Sequence, residues 1–212
     1  MAGCAMNRLL LCAMALAVMG SLSGCGGVAP ADQQQGSLVG DAIGGSFTLT
    51  DQDGRTVSWD DFRGKYRIVY FGYTNCPDVC PVDLQRIMQG LRLLEKSAPA
   101  RAAQIQPIFI TVDPKRDTPP VMKAYVSALH PRLLGLTGTP EQIAAVARKF
   151  VVAYFLEKPN ETGAYIVSHS RTPYLFGPDG KPIALVPVDD PASPAQEGGP
   201  TEVAAFLDNW VK

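Results

Sequence analysis

The sequence predicts an α/β domain in which strands and helices alternate, with a reactive loop at the carboxyl end of a central strand. Three observations carry this expectation. Arg67-Ile68-Val69-Tyr70-Phe71-Gly72 is a β-branched and aromatic run of the kind buried in the middle of a sheet. Leu84, Ile87, Met88, Leu91 and Leu94 then recur at helical spacing. Ile105 to Val112 returns as a second buried run. Between the first run and the helix stand Cys76 and Cys80.

The flanking elements follow in order. Phe47-Thr48-Leu49-Thr50 and Thr56-Val57-Ser58-Trp59 alternate apolar and polar residues around the turn-forming Asp51-Gln52-Asp53-Gly54, which predicts a β-hairpin. Asp60 to Lys65 is a short connection to the central strand. Pro81 suits the first turn of the helix, where its missing N–H does no harm, and Ala98-Pro99 ends that helix. Asp117-Thr118-Pro119-Pro120 starts a helix over Val121 to Leu129, and Leu133 to Leu136 is a short third strand. Thr139-Pro140-Glu141-Gln142 combines an N-cap, a first-turn proline and an acid near the positive end of the helix dipole, so a helix runs on from Ile143 to Phe150. Val151 to Leu156 reads as a strand and Glu157 to Ala164 as a polar loop. Tyr174-Leu175-Phe176 and Ile183 to Val186 flank Gly177-Pro178-Asp179-Gly180 as a second hairpin. Asp189 to Pro200 is rich in Pro, Gly and Ser. Thr201 to Val211 closes the chain as a helix with Val203, Phe206, Leu207 and Trp210 on one face. This order reads as a thioredoxin-like fold with an N-terminal β-hairpin and a middle insertion. In parallel sheets, sites form at the carboxyl ends of strands, which is where Cys76 falls.

Composition narrows the function. A chain of 212 residues with 46% apolar and 18% charged residues suits one globular domain plus an apolar leader. The formal net charge of -1 and the lack of any basic run give nucleic-acid binding no electrostatic support. Arg8 precedes a short apolar run, Leu9 to Met19, which falls below the roughly 18 to 20 residues that span a bilayer comfortably. The leader ends in Leu22-Ser23-Gly24-Cys25, which resembles the lipobox of bacterial lipoproteins. The expected organisation is a signal peptide over residues 1–24, a lipid-carrying Cys25 opening a flexible tether to residue 40, and a domain over residues 41–212. Lipid chains anchor by about 0.8 kcal/mol per buried methylene, so several chains hold firmly. The domain is then exported and sits outside the cytoplasm, in the bacterial cell envelope.

The leader settles the cysteine arithmetic. Cys4 and Cys12 leave with it, Cys25 takes lipid, and Cys76 and Cys80 alone remain in the domain. A disulfide-stapled scaffold is excluded. Amide groups at the start of a helix favour anions and lower a thiol pKa. Thiolate is both a nucleophile and a soft metal ligand, so position alone leaves redox chemistry and metal binding open. Soft sulfur selects Cu(I), and an added imidazole suits Cu(II) as well. His130 precedes Pro131 at the end of a helix pattern and reads as a surface cap. His169, in Tyr165-Ile166-Val167-Ser168-His169-Ser170, reads equally as an exposed loop residue or as a neighbour of the cysteine loop. A peroxidase-like reading has only Thr74 beside Cys76 in its favour.

The segments Phe71-Gly72-Tyr73-Thr74-Asn75-Cys76-Pro77-Asp78-Val79-Cys80-Pro81, Thr111-Val112-Asp113-Pro114-Lys115-Arg116-Asp117-Thr118-Pro119, Tyr165 to Ser170 and Tyr174 to Gly180 resemble, in order, the Sco/SenC family of copper-binding proteins of cytochrome c oxidase assembly. The resemblance implies a thioredoxin-like fold and Cys76, Cys80 and His169 as ligands of one copper, Cu(I) or Cu(II). It implies membrane attachment and delivery of copper to the binuclear copper site of the oxidase, so the expected partners are the copper-accepting oxidase subunit and other periplasmic copper or thiol proteins. The alternative is a thiol–disulfide oxidoreductase in which Cys76 and Cys80 keep a copper-accepting partner reduced and His169 is dispensable. Asp113 and Asp117 match the family's acidic segment, as helix start and polar support beside the site. Ser168 stands where the family usually has Asp. Pro173 stands where thioredoxins place a cis-proline.

Overall fold

In the computed structural model, residues 37–189 and 198–212 are described. The leader, Cys25 and nearly all of the tether lie outside them, as does most of the Pro-, Gly- and Ser-rich stretch before the last helix. The domain opens on the hairpin β1 (Thr48–Asp51) and β2 (Thr56–Ser58), followed by a 3-10 turn at Trp59–Phe62. Then come β3 (Tyr66–Gly72), α1 (Val79–Ser97), α2 (Pro99–Ala102), β4 (Ile105–Thr111), α3 (Pro119–Leu129), β5 (Leu134–Thr137) and α4 (Pro140–Lys149). The chain ends with β6 (Tyr154–Leu156), β7 (Val167–His169), β8 (Tyr174–Phe176), β9 (Pro182–Leu185) and α5 (Pro200–Trp210). Among the described residues no helix is long and apolar enough to cross a membrane.

A seven-stranded sheet runs in the order β2-β1-β5-β4-β3-β8-β9. β3, β4 and β5 are parallel, and β8 joins β3 antiparallel. This is an α/β, thioredoxin-like arrangement. Every residue of β3 is buried, as its continuous apolar run requires. The exception in type is Arg67, whose guanidinium lies 4.3 Å over the Trp59 ring and donates to the Gly177 carbonyl at 3.3 Å. A cation on an aromatic face keeps its charge compensated inside the core.

The helices obey their stripes. Leu84, Ile87, Met88, Leu91 and Leu94 of α1 are all buried. α1 packs on α5, and the contact is close because Gly90 has no side chain. A Cβ there would lie 2.5 Å from Val203 Cγ1 and 2.9 Å from the Pro200 carbonyl. On α4 the expected start is present as a full capping box, Thr139 with Gln142.

The expected N-terminal hairpin joins the main sheet, β1 pairing with β5. Two expectations change. The strand expected over 151–156 shrinks to β6, because Val151 turns into the left-handed region at φ 54 and breaks the extension. The residues around His169, read as a loop, form β7, which pairs with β6 as a ribbon outside the main sheet. The middle insertion thus ends in the ribbon that carries the histidine. Two single residues also differ. His130 is 1% exposed, not a surface cap: its Nδ1 accepts from the Arg132 amide at 3.1 Å and its Nε2 lies 3.4 Å from Glu95, while its backbone amide closes α3. Pro173 is trans, as is every peptide bond among the described residues.

Candidate metal centre

β3 ends at Gly72, and the chain turns back at once: the Cys76 amide donates to the Tyr73 carbonyl at 3.2 Å. α1 starts at Val79, so Cys80 is its second residue. The N-cap Asp78 makes no side-chain cap. The helix-start amides are therefore free of any side-chain cap, and those of Asp78 and Cys80 help to lower the Cys76 thiol pKa. Gly72 lets Cys80 fold against the strand. A Cβ at position 72 would meet Cys80 Sγ at 3.2 Å and Phe109 at 3.0 Å.

His169 arrives from the other side. β6 and β7 pair Tyr154 with His169, Phe155 with Ser168 and Leu156 with Val167. Val167 is buried and anchors the strand, and His169 Nε2 lies 2.9 Å from Cys80 Sγ. Its Nδ1 lies 2.9 Å from the Ser170 carbonyl. A carbonyl only accepts, so Nδ1 carries the proton and Nε2 presents a lone pair to the thiols. The Sγ atoms of Cys76 and Cys80 and a ring nitrogen of His169 all lie within 4.8 Å of one another. Two sulfurs and an imidazole form a donor set that suits copper in both common oxidation states.

The two thiols are unlike. Cys80 is buried and Cys76 is half-buried, and both are free. The neighbouring Cys80 holds the Cys76 pKa well below the ordinary thiol range; burial opposes this, and His169 and the backbone amides of Asp78 and Cys80 add to the lowering. The Cys80 thiol is pushed up by the neighbouring Cys76 and then by burial. The lowering expected from the helix start falls on Cys76, where the Asp78 and Cys80 amides contribute less than the neighbouring thiol, and not on Cys80, which is raised.

The acidic segment supports the loop from beneath. Asp117 is fully buried and accepts from the Thr74 amide at 3.0 Å, the Thr74 hydroxyl at 2.6 Å and the Thr111 hydroxyl at 2.6 Å. Asp113 pairs with Arg116 and accepts from the Tyr165 hydroxyl at 2.9 Å. Arg116 lies 3.8 Å from the Tyr165 ring centroid and donates to the Tyr165 carbonyl. Neither acid starts a helix, since Thr118 is the N-cap of α3. Neither belongs to the group of converging donor atoms. Ser168 points away and donates to Glu157 at 2.7 Å. The imidazole takes its outer partner from the backbone instead.

Sequence reasoning missed Asp83, Tyr70 and Arg171. Asp83 is fully buried on α1, one turn beyond Cys80, and accepts two hydrogen bonds from Arg171 and one from the Tyr70 hydroxyl. The signal was available: an acid within the apolar stripe of a helix demands a cationic or donor partner.

Fold and site together define a thioredoxin-like domain with a Cys-Cys-His donor group at the end of its central strand. Residues 35–198 match the profile of the SCO1/SenC family. A mitochondrial SCO2 homolog of Bos taurus is 49% identical over 140 residues, 66% of this chain and 52% of the relative. An SCO2-like protein of Rickettsia felis is 37% identical over 166 residues, 78% of this chain and 75% of that one. The solved structure of Bradyrhizobium japonicum ScoI with copper bound is 39% identical, with a TM-score of 0.68 over 80% of this chain and 99% of that chain. The chain belongs to the SCO1/SenC family. It spans about half the length of the mitochondrial SCO2 homologs it matches.

Proposed function

We propose that the protein is a copper metallochaperone that binds one copper ion through Cys76, Cys80 and His169 and delivers it to the binuclear copper site of cytochrome c oxidase. The observation that carries this reading is the convergence of two sulfurs and one ring nitrogen within 4.8 Å. Relatives with the same fold have been solved with copper bound, which supports copper as the cargo. The half-buried Cys76 already offers a thiolate, and Nε2 of His169 offers a lone pair. Cargo binding displaces the remaining proton from Cys80. Oxidation of the pair to a disulfide removes both thiolates, so redox state gates loading. Asp117, and Asp113 through Arg116 and Tyr165, hold the two ligand-bearing segments in place without touching the metal.

The lipid on Cys25 would anchor the mature chain, and the tether to residue 40 would let the domain reach a membrane-bound acceptor outside the cytoplasm. The lowered pKa of Cys76 favours a second activity at the same site, reduction of the acceptor's cysteines. Copper titration of the reduced protein separates these readings. One Cu(II) per chain with a sulfur-to-copper charge-transfer band is expected, and His169→Ala should weaken Cu(II) binding strongly while leaving thiol chemistry intact. Unchanged Cu(II) binding by His169→Ala would sink the ligand assignment. Negligible copper binding by the wild type alongside brisk insulin reduction would favour the reductase.

A further inference from the structure

The ribbon that carries His169 has two strands of three residues each, outside the main sheet. Isolated two-stranded ribbons are marginal in water, so something beyond their own pairing must fix the imidazole. Phe155, Leu156 and Ile166 of the ribbon and its flank are exposed and bury little against the core. Val167 is the buried apolar anchor of β7. A bidentate polar attachment lies two residues past the histidine. Arg171 Nε and a terminal nitrogen donate to the two oxygens of Asp83, both at 2.6 Å. Asp83 is fully buried, and the Tyr70 hydroxyl donates to it at 3.0 Å. Asp83 sits three residues after Cys80, hence on the same face of α1.

We propose that the Arg171–Asp83 ion pair is a latch that sets the position of His169 relative to the thiols. It ties the segment bearing the imidazole directly to the helix bearing Cys80. The bidentate fork fixes direction as well as distance, which a single contact would not. Tyr70 completes the latch: its hydroxyl holds the Asp83 oxygen that also takes Arg171 Nε, and its ring stands edge-on to His169 with centroids 6.4 Å apart. Arg171 and Asp83 are positioning residues that do not ligate. Their charges cancel, so the latch itself adds no net charge beside a site that must accept a cation.

This inference rests on the copper reading, and the test keeps the two apart. Cu(II) affinity is measured by competition titration for wild type, His169→Ala, Asp83→Asn, Arg171→Gln, the Asp83→Asn/Arg171→Gln pair, and each single latch variant combined with His169→Ala. Loss of an outer-shell partner lowers metal affinity by about 10- to 100-fold, and that loss is expected for each single latch variant. The double variant should recover part of it, because two amides can still bond across the same gap. With His169 gone, the latch substitutions should change Cu(II) affinity no further, since they act through the imidazole. A general loss of stability would instead add to the His169→Ala effect. Hydrogen exchange of the copper-free protein supplies a second readout: Arg171→Gln, which removes the more accessible partner, should raise exchange in residues 166–171 and leave α1 protected. Full Cu(II) affinity in both single variants, or equal losses with and without His169, would overturn the latch. Unchanged affinity in His169→Ala would overturn the copper-ligand reading itself.

Discussion

The cysteine loop and the histidine ribbon reach the same point by opposite means. The loop lies between a wholly buried strand and a 19-residue helix whose apolar stripe faces the core. Its sulfurs are placed by packing, down to the missing side chain of Gly72 against Cys80. The ribbon is short, largely exposed and fastened by polar pairs, with Arg116–Asp113 and Tyr165 before the histidine and Arg171–Asp83 after it. Two of the three proposed ligands therefore belong to the well-packed part of the domain, and the third is held by contacts that can be tuned one at a time. For the proposed role of copper delivery, which requires release of what is bound, this division supplies one adjustable donor.

The comparison can be broken first on its rigid side. Cys80→Ser should abolish stoichiometric binding of both Cu(I) and Cu(II), as read by competition titration, because it removes a sulfur from a site with two. Gly90→Ala tests the packing that holds α1. Its Cβ would meet a backbone carbonyl as well as Val203, so about 1–3 kcal/mol of destabilisation is expected in urea, with copper affinity of the folded protein preserved. Asp117→Asn probes the support beneath the loop. Three donors converge on that buried carboxylate, and an amide that can no longer accept all of them should lower stability by about 1–3 kcal/mol.

The two thiols offer a subtler contrast. A lowered pKa means that thiolate persists as pH falls, so alkylation of Cys76 in the reduced protein should stay nearly constant from pH 8 to pH 5. An ordinary thiol, with pKa about 8.5, loses about tenfold per unit across the same range. Cys80, raised by the neighbouring Cys76 and by burial, should remain unmodified throughout. The smallest effect is expected at Ser168→Asp. The side chain faces Glu157 rather than the imidazole, so stability should move by no more than about 0.5 kcal/mol and the charge-transfer band should be unchanged.

The same contrast explains what could be read in advance. The stripe of α1, the buried strands, both main-sheet hairpins and the capping box of α4 write themselves in residue spacing, because each is set by local period and burial. β7 does not. Its three residues carry one buried side chain, and their extended form comes from pairing with β6 across a loop. His130 shows the limit from the other side. It is buried beside Glu95, which approaches it only in the folded chain. Cys76 and Cys80 could be singled out because their spacing is short and they stand alone in the domain. Asp83 and Arg171 are 88 residues apart, and their pairing exists only once the ribbon is folded over α1.

The most direct test is X-ray absorption at the copper edge, on the reduced protein loaded with one equivalent of copper. Two sulfur donors and one imidazole nitrogen are predicted, with the imidazole scattering lost in His169→Ala. A sulfur-only shell in the wild type, or an imidazole signal that survives in His169→Ala, would contradict the convergence of the loop and the ribbon on one metal.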